Sequence, residues 1–111
     1  MNKYHFIFDK TKSAKKLKKI FKYKYKNISI KKSDYIVVAG GDGFMLRILK
    51  KYYKFKKPFY GINCGTIGFL MNKFVSGNLE KIIKKTKNFV INPLEVKILT
   101  TNKKRFNTIA I

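Results

Sequence analysis

The chain opens on a short strand-like run, Tyr4-His5-Phe6-Ile7-Phe8, rich in aromatic residues with His5 its one polar side chain, which predicts a buried strand. From Ser13 to about Lys26 the apolar residues recur at helical spacing. Ala14, Leu17, Ile20 and Phe21 fall on one stripe and lysines cover the rest. The connection 27–33 is polar, and its one short alternation, Ile28 and Ile30, leaves loop and extra strand both open. Tyr35-Ile36-Val37-Val38-Ala39 is apolar without alternation, as a strand covered on both faces requires. A second amphipathic pattern from Gly43 to about Tyr53 places Met45, Leu46, Leu49 and Tyr52 on a buried stripe. Lys54–Lys57 is a basic loop stopped by Pro58, and Phe59-Tyr60-Gly61-Ile62 is the next strand. The succession β-α-β-α-β predicts an α/β fold, an open parallel Rossmann-like sheet with flanking helices and right-handed crossovers. Beyond Gly77, Asn78 caps a short helix over Leu79–Ile83, and Phe89–Leu99 and Arg105–Ile111 read as strands.

Length and composition narrow the class. A chain of 111 residues, 45% hydrophobic and 15% aromatic, is globular and amounts to one domain or part of one. Its apolar stretches are broken by lysine well short of the roughly 20 residues that span a bilayer, and Met1-Asn2-Lys3 leads straight into a strand with no cleavable signal. A cytoplasmic protein without membrane contact is expected. The single cysteine, Cys64, excludes an internal disulfide and a cysteine-cluster metal site. The net charge of +22 suggests a polyanionic partner, but only Arg47 and Arg105 of the 27 basic residues are arginine. Recognition of phosphates and base edges favours the arginine fork, so the charge reads as background and nucleic acid is not the expected partner. The alternative, a basic nucleic-acid-binding domain, would show a steep salt dependence of RNA or DNA affinity.

Candidate chemistry concentrates where strands end. Gly40-Gly41-Asp42-Gly43 joins the second strand to the second helix. Its glycines permit φ > 0 and close approach of a ligand to the main chain, and the amides opening the helix are donors suited to phosphate. Asp42 would repel phosphate unless it binds a metal, hydrogen-bonds a ribose or sugar hydroxyl, or takes a proton from one; the hydroxyl is the preferred role, and the other reading of the turn is an Asp that merely caps the helix. The second stretch is Gly61-Ile62-Asn63-Cys64-Gly65-Thr66-Ile67-Gly68-Phe69-Leu70-Met71-Asn72, again at the carboxyl end of a strand, where open α/β sheets bind ligands. Polar Asn63 and Thr66 can face a ligand there. Phe69 either lies against a flat base or plugs the core.

Together, Gly40–Gly43 and Gly61-Ile62-Asn63-x-Gly65-x-Ile67-Gly68-Phe69-Leu70 resemble the paired signature of the NAD kinase family, a match running over roughly residues 34–72. The first motif alone also resembles lipid kinases and phosphofructokinases, which remain alternative phosphotransferase readings; the second separates them. Diguanylate cyclases are excluded, because their turn needs a glutamate where Gly43 stands. The resemblance implies transfer of a phosphoryl group from ATP, or in some members polyphosphate, to the 2′-hydroxyl of the adenosine ribose of NAD, with Mg²⁺. It implies that Asp42 activates that hydroxyl, that Gly40, Gly41, Asp42 and Gly43 contact NAD, and that Asn63 belongs to the same site. Arg47 matches a basic contact to the dinucleotide, with a solvent-facing arginine the other reading, and Phe69 matches the aromatic on the adenine side. No residue is implied as a protein-held metal site. Phe44 departs from the family, where threonine is commoner.

The resemblance further implies residues 1–76 as the α/β nucleotide-binding domain and 77–111 as the first strands of a truncated all-β domain. The chain stops inside Thr108-Ile109-Ala110-Ile111, before the family's Asn-Glu pair. A homodimer or homotetramer is implied at full length, and negligible activity for the 111-residue chain by itself.

Overall fold

The structure, a computed structural model, describes residues 2–65, 70–74, 77–91 and 96–100. The strands are β1 (Tyr4–Phe8), β2 (Tyr35–Gly40), β3 (Phe59–Asn63), β4 (Lys87–Ile91) and β5 (Val96–Thr100); the helices are α1 (Lys12–Lys24), α2 (Asp42–Tyr52) and α3 (Leu79–Lys84). One sheet runs in the order β1-β2-β3-β5-β4. β1, β2, β3 and β5 are parallel, and β4 closes the far side antiparallel to β5. The α/β sheet with flanking helices is the expected class. No helix among the described residues is long and apolar enough to cross a membrane.

Because β2 carries no alternation, it has a core on each face. Val37 and Ala39 meet Leu17 and Phe21 of α1 together with Leu79 and Ile83 of α3, whereas Ile36 and Val38 meet Met45, Ile48 and Leu49 of α2. β1, β2 and β3 step the same way across the sheet, yet α1 and α2 cover opposite faces. Between α1 and β2 the chain passes the outer edge of β1, where the Ile28 amide meets Tyr4 O, and Ile30 packs with the α2-side core, so the connection changes face before β2 begins.

α1 begins at Thr11, whose hydroxyl accepts from the Ala14 amide at 3.2 Å. Ala14, Leu17 and Phe21 are buried, but Ile20 is 46% exposed. It stands about 100° round the helix from Phe21, off the single face that the sheet covers. In α2 the buried residues are Met45, Ile48 and Leu49, with Leu46 and Tyr52 at the margin, so the stripe lies slightly round from the expected one.

The 27–33 connection forms no strand but closes the edge of β1. Asn27 Oδ1 accepts from the Phe6 amide at 2.9 Å, and the Ile28 amide donates to Tyr4 O at 2.9 Å. An asparagine side chain thus stands in for a strand partner and caps an otherwise adhesive edge. The connection is fastened in turn by Lys57, whose ammonium donates to the carbonyls of Ile30, Lys31 and Ser33 at 2.5, 2.6 and 2.6 Å.

α3 is capped as expected: Asn78 Oδ1 accepts from the Glu80 amide at 2.8 Å. The expected strand Phe89–Leu99 is instead an antiparallel pair, β4 and β5. Asn92-Pro93, between them in sequence, is a turn signal that breaks the run. α3, β4 and β5, expected to open a second domain, are built onto this same sheet: β5 pairs with β3, and Leu79, Ile83 and Leu99 join the α1-side core. The expected strand Arg105–Ile111 lies outside the described residues.

Candidate functional site

Parallel strands bring their carboxyl ends level. Gly40 of β2 is in register with Asn63 of β3, the Cys64 amide donates to Gly40 O at 2.9 Å, and the Asp9 amide donates to Ala39 O at 2.9 Å. Asp9, Gly40–Asp42 and Asn63–Cys64 thus form one row at the sheet's carboxyl end, beside the start of α2.

The glycine turn works by space and not by unusual backbone angles. Gly41 is the N-cap of α2 with φ −107° and ψ −178°, extended backbone open to any residue. The positive φ values among the described residues belong to Lys56 and Gly77. At Gly40 a Cβ would sit 2.7 Å from Phe44 Cδ2 and 3.2 Å from Asp9 Cβ, so the ring of Phe44 already occupies that place. At Gly41 and Gly43 a Cβ would meet none of the described residues within 4 Å, so among these residues the backbone is open to approach. The N-cap, Gly41, offers no side-chain cap, and the first amides of α2 point outward at the positive end of the helix dipole.

Asp42 is the first residue of α2 and does not act as its cap. Its Oδ1 accepts from the Leu70 amide at 3.0 Å, a bond that ties the first glycine motif to the end of the second. Asn63 spends its side chain locally: Oδ1 accepts from the Gly65 amide at 3.2 Å and bends the chain away from β3. Arg47 is exposed, with its guanidinium carbon 5.5 Å from the centre of the Phe44 ring. Phe44 thereby replaces a possible hydroxyl with a ring that covers Gly40 and supports Arg47. Thr66 and Phe69 lie outside the described residues.

Two residues of this region carried no role in the sequence. Asp9 ends β1 beside Gly40, and its charge adds to burial in pushing the half-buried Cys64 thiol up; a carboxylate just after a strand was the available signal. Asn72 is buried and donates through its side-chain amide to Gly61 O at 2.9 Å and Leu99 O at 2.8 Å. A polar residue closing the apolar run Phe69-Leu70-Met71 was its signal. Among the described residues no three His, Cys, Asp or Glu side chains gather into a metal cluster.

The fold is an open α/β sheet of the doubly wound class, and the glycine turn, helix amides and anchored carboxylate at its carboxyl end form an arrangement of the kind that suits a phosphate-bearing ligand. Residues 2–90 match the family described as ATP-NAD kinase N-terminal domain, and the chain belongs to the NAD kinase family. It is 39% identical over 90 residues to the NAD kinase of Brucella suis, covering 81% of this chain and 35% of that protein. With the NAD kinase of Rhizobium meliloti it shares 34% over 110 residues, 99% of this chain and 43% of that protein. With that of Rickettsia rickettsii it shares 34% over 95 residues, 86% and 36% of the two chains. The chain thus spans well under half the length of these curated relatives.

Proposed function

We propose that this chain supplies the catalytic carboxylate and half of the dinucleotide site of an enzyme that phosphorylates the 2′-hydroxyl of the adenosine ribose of NAD, giving NADP. The observation that carries this reading is Asp42, at the positive end of α2 and held by the Leu70 amide, between two glycine segments at the sheet's carboxyl end. The donor is ATP or polyphosphate. As the ribose oxygen bonds to the terminal phosphorus, the bridging bond to the leaving phosphate breaks and the hydroxyl proton passes to Asp42. The bond to Leu70 holds the carboxylate in one orientation, and the open space at Gly41 and Gly43 admits the ligand to the α2 amides.

Mg²⁺, when bound, neutralises charge on the transferring group. With no three-ligand cluster among the described residues, the ion fits as one held mainly by the donor's phosphates, with Asp9 and Asp42 the acidic groups at this end. Arg47 lies within reach of a dinucleotide that crosses α2, as an exposed cation propped on Phe44.

The test is Asp42→Asn in the full-length protein, measured as NADP formation across a Mg²⁺ series. Asparagine keeps the size but takes no proton, so kcat should fall on the order of 10²–10⁴ with little change in KM for NAD. Recovery by Mg²⁺ would assign Asp42 to the metal, and turnover close to wild type would overturn the reading. The 111-residue chain by itself should form negligible NADP, because it covers well under half of its relatives' length and positioning both substrates needs the rest.

A further inference from the structure

β3 and β5 separate early. Phe59 pairs with Ile98 and Tyr60 with Leu99, and the ladder stops there although β3 runs on to Asn63. Asn72 fills the split. Its backbone bridges to Ile62 in the parallel sense, its amide donates to Gly61 O at 2.8 Å, and its carbonyl accepts from the Asn63 amide at 2.7 Å. At 1% exposure, its side-chain nitrogen reaches Gly61 O on β3 and Leu99 O on β5 at 2.9 and 2.8 Å. One NH₂ carries the two protons that two facing carbonyls require. Leucine has the shape without the donors, and aspartate would set a carboxylate against two carbonyl oxygens.

Two residues before Asn72 stands Leu70, whose amide holds Asp42 Oδ1 at 3.0 Å. Between them Met71 lies on Gly61 together with Met45 of α2, as close as the missing side chain permits: a Cβ there would be 2.6 Å from Met71 Sδ and 2.7 Å from Met45 Cε. Residues 70–72 are therefore pinned to the sheet at one end, packed on α2 in the middle, and bonded to Asp42 at the other.

We infer that Asn72 is a positioning residue for Asp42: by clamping β3 to β5 it fixes the Leu70 amide, and the Leu70 amide fixes the carboxylate. The kinetic part of this rests on the phosphoryl-transfer reading, while the structural part stands without it. The test uses the full-length protein and its variants Asn72→Leu and Asn72→Ser, with amide hydrogen exchange read at Leu70, Asn63 and Ile62. In the unaltered protein Leu70 should exchange as slowly as Asn63, since one clamp protects both. In the variants Leu70 should exchange about 10-fold faster or more while Ile62, inside the β2–β3 ladder, keeps its rate. Correspondingly, kcat should fall on the order of 10–100-fold with KM for NAD retained.

Leu70 exchanging far faster than Asn63 in the unaltered protein would overturn the inference even if neither variant folds. So would variants in which Leu70 keeps its slow exchange, or in which kcat is unchanged while Asp42→Asn is impaired. If Asp42→Asn itself is silent, the phosphoryl-transfer reading fails, and exchange at Leu70 still decides whether Asn72 holds this segment.

Discussion

Gly61→Ala probes the join between the two glycine segments most directly, because β3 passes there beneath Met45 and Met71. The added methyl would stand 2.6 Å from Met71 Sδ, 2.7 Å from Met45 Cε and 2.9 Å from Met71 Cε. Ordinary carbon contacts lie at about 3.5–4.0 Å, so about 1 Å of overlap has to be relieved. The clashing atoms are ends of flexible side chains, which can turn, but both methionines are buried, at 0% and 3% exposure, with neighbours on every side. Overpacking of this kind costs about 1–3 kcal/mol. Loss of glycine's freedom in the unfolded chain returns about 0.4–1 kcal/mol, and Gly61 carries no positive φ to add strain. The net expectation is a loss of about 1–2 kcal/mol in urea unfolding. Met71→Ala should cost about 2–5 kcal/mol in the natural background but distinctly less beside Ala at 61, where the new methyl takes up part of the vacated space. A Gly61→Ala protein within about 0.5 kcal/mol of wild type, or strict additivity in the cycle, would refute the packing account.

Lys57→Met keeps the aliphatic stem but strips the donors from Ile30, Lys31 and Ser33, and should cost about 1.5–3 kcal/mol, whereas Lys54→Met on the exposed side should stay within about 0.5 kcal/mol; equal effects in urea unfolding would count against the clamp. The buried phenols of Tyr60 and Tyr4 are pushed up to about 12, by burial in both and secondarily by Glu80 at Tyr4. The folded state therefore retains these protons where the unfolded chain loses them. Their contribution to stability is complete below pH ~10 and disappears as the pH climbs towards about 12. Tyr60→Phe should flatten that alkaline decline, and an unchanged slope would contradict the burial. Asp9→Asn removes a negative charge beside Cys64, so alkylation of the thiol at fixed pH should quicken; an unaltered rate would show that burial alone sets its reactivity.

The parallel framework was legible because its signals are local. An apolar run such as Tyr35–Ala39, short and without alternation, reads as a strand covered twice, and a turn of three glycines and one acid between strand and helix marks the carboxyl end of the sheet. What escaped depends on relations between segments. Nothing in the spacing of Leu17 or Met45 tells on which face its helix will lie, so the placing of α1 and α2 on opposite faces had no sequence signature. Ile20 and Ile48 changed places between stripe and margin because the boundary of a helical face is set by the width of the surface beneath it. The role of Asn72 exists only because β5 arrives beside β3, from a part of the chain far along the sequence. The glycines were expected to take positive φ and to admit a ligand; Gly41 instead adopts an ordinary extended conformation, and what sets the turn apart is volume.

The sheet separates two materials. On the α1 side, rings interlock: Phe6 and Phe21 meet edge to face at 5.5 Å between centroids, and Phe21 meets Tyr25 likewise at 5.4 Å. Such contacts have narrow preferred geometries and resist deformation. On the α2 side, Phe59 is, among the described residues, the one fully buried ring amid aliphatic and thioether side chains that include Met45 and Met71, and thioethers accommodate small shifts by turning about several bonds. Asp42 therefore rides on the compliant side of a plate whose opposite side is stiff. On the proposed reading, a substrate arriving at Asp42 should leave the strands in place, and the adjustment it demands should fall to Met45 and Met71, which can change shape without moving the sheet.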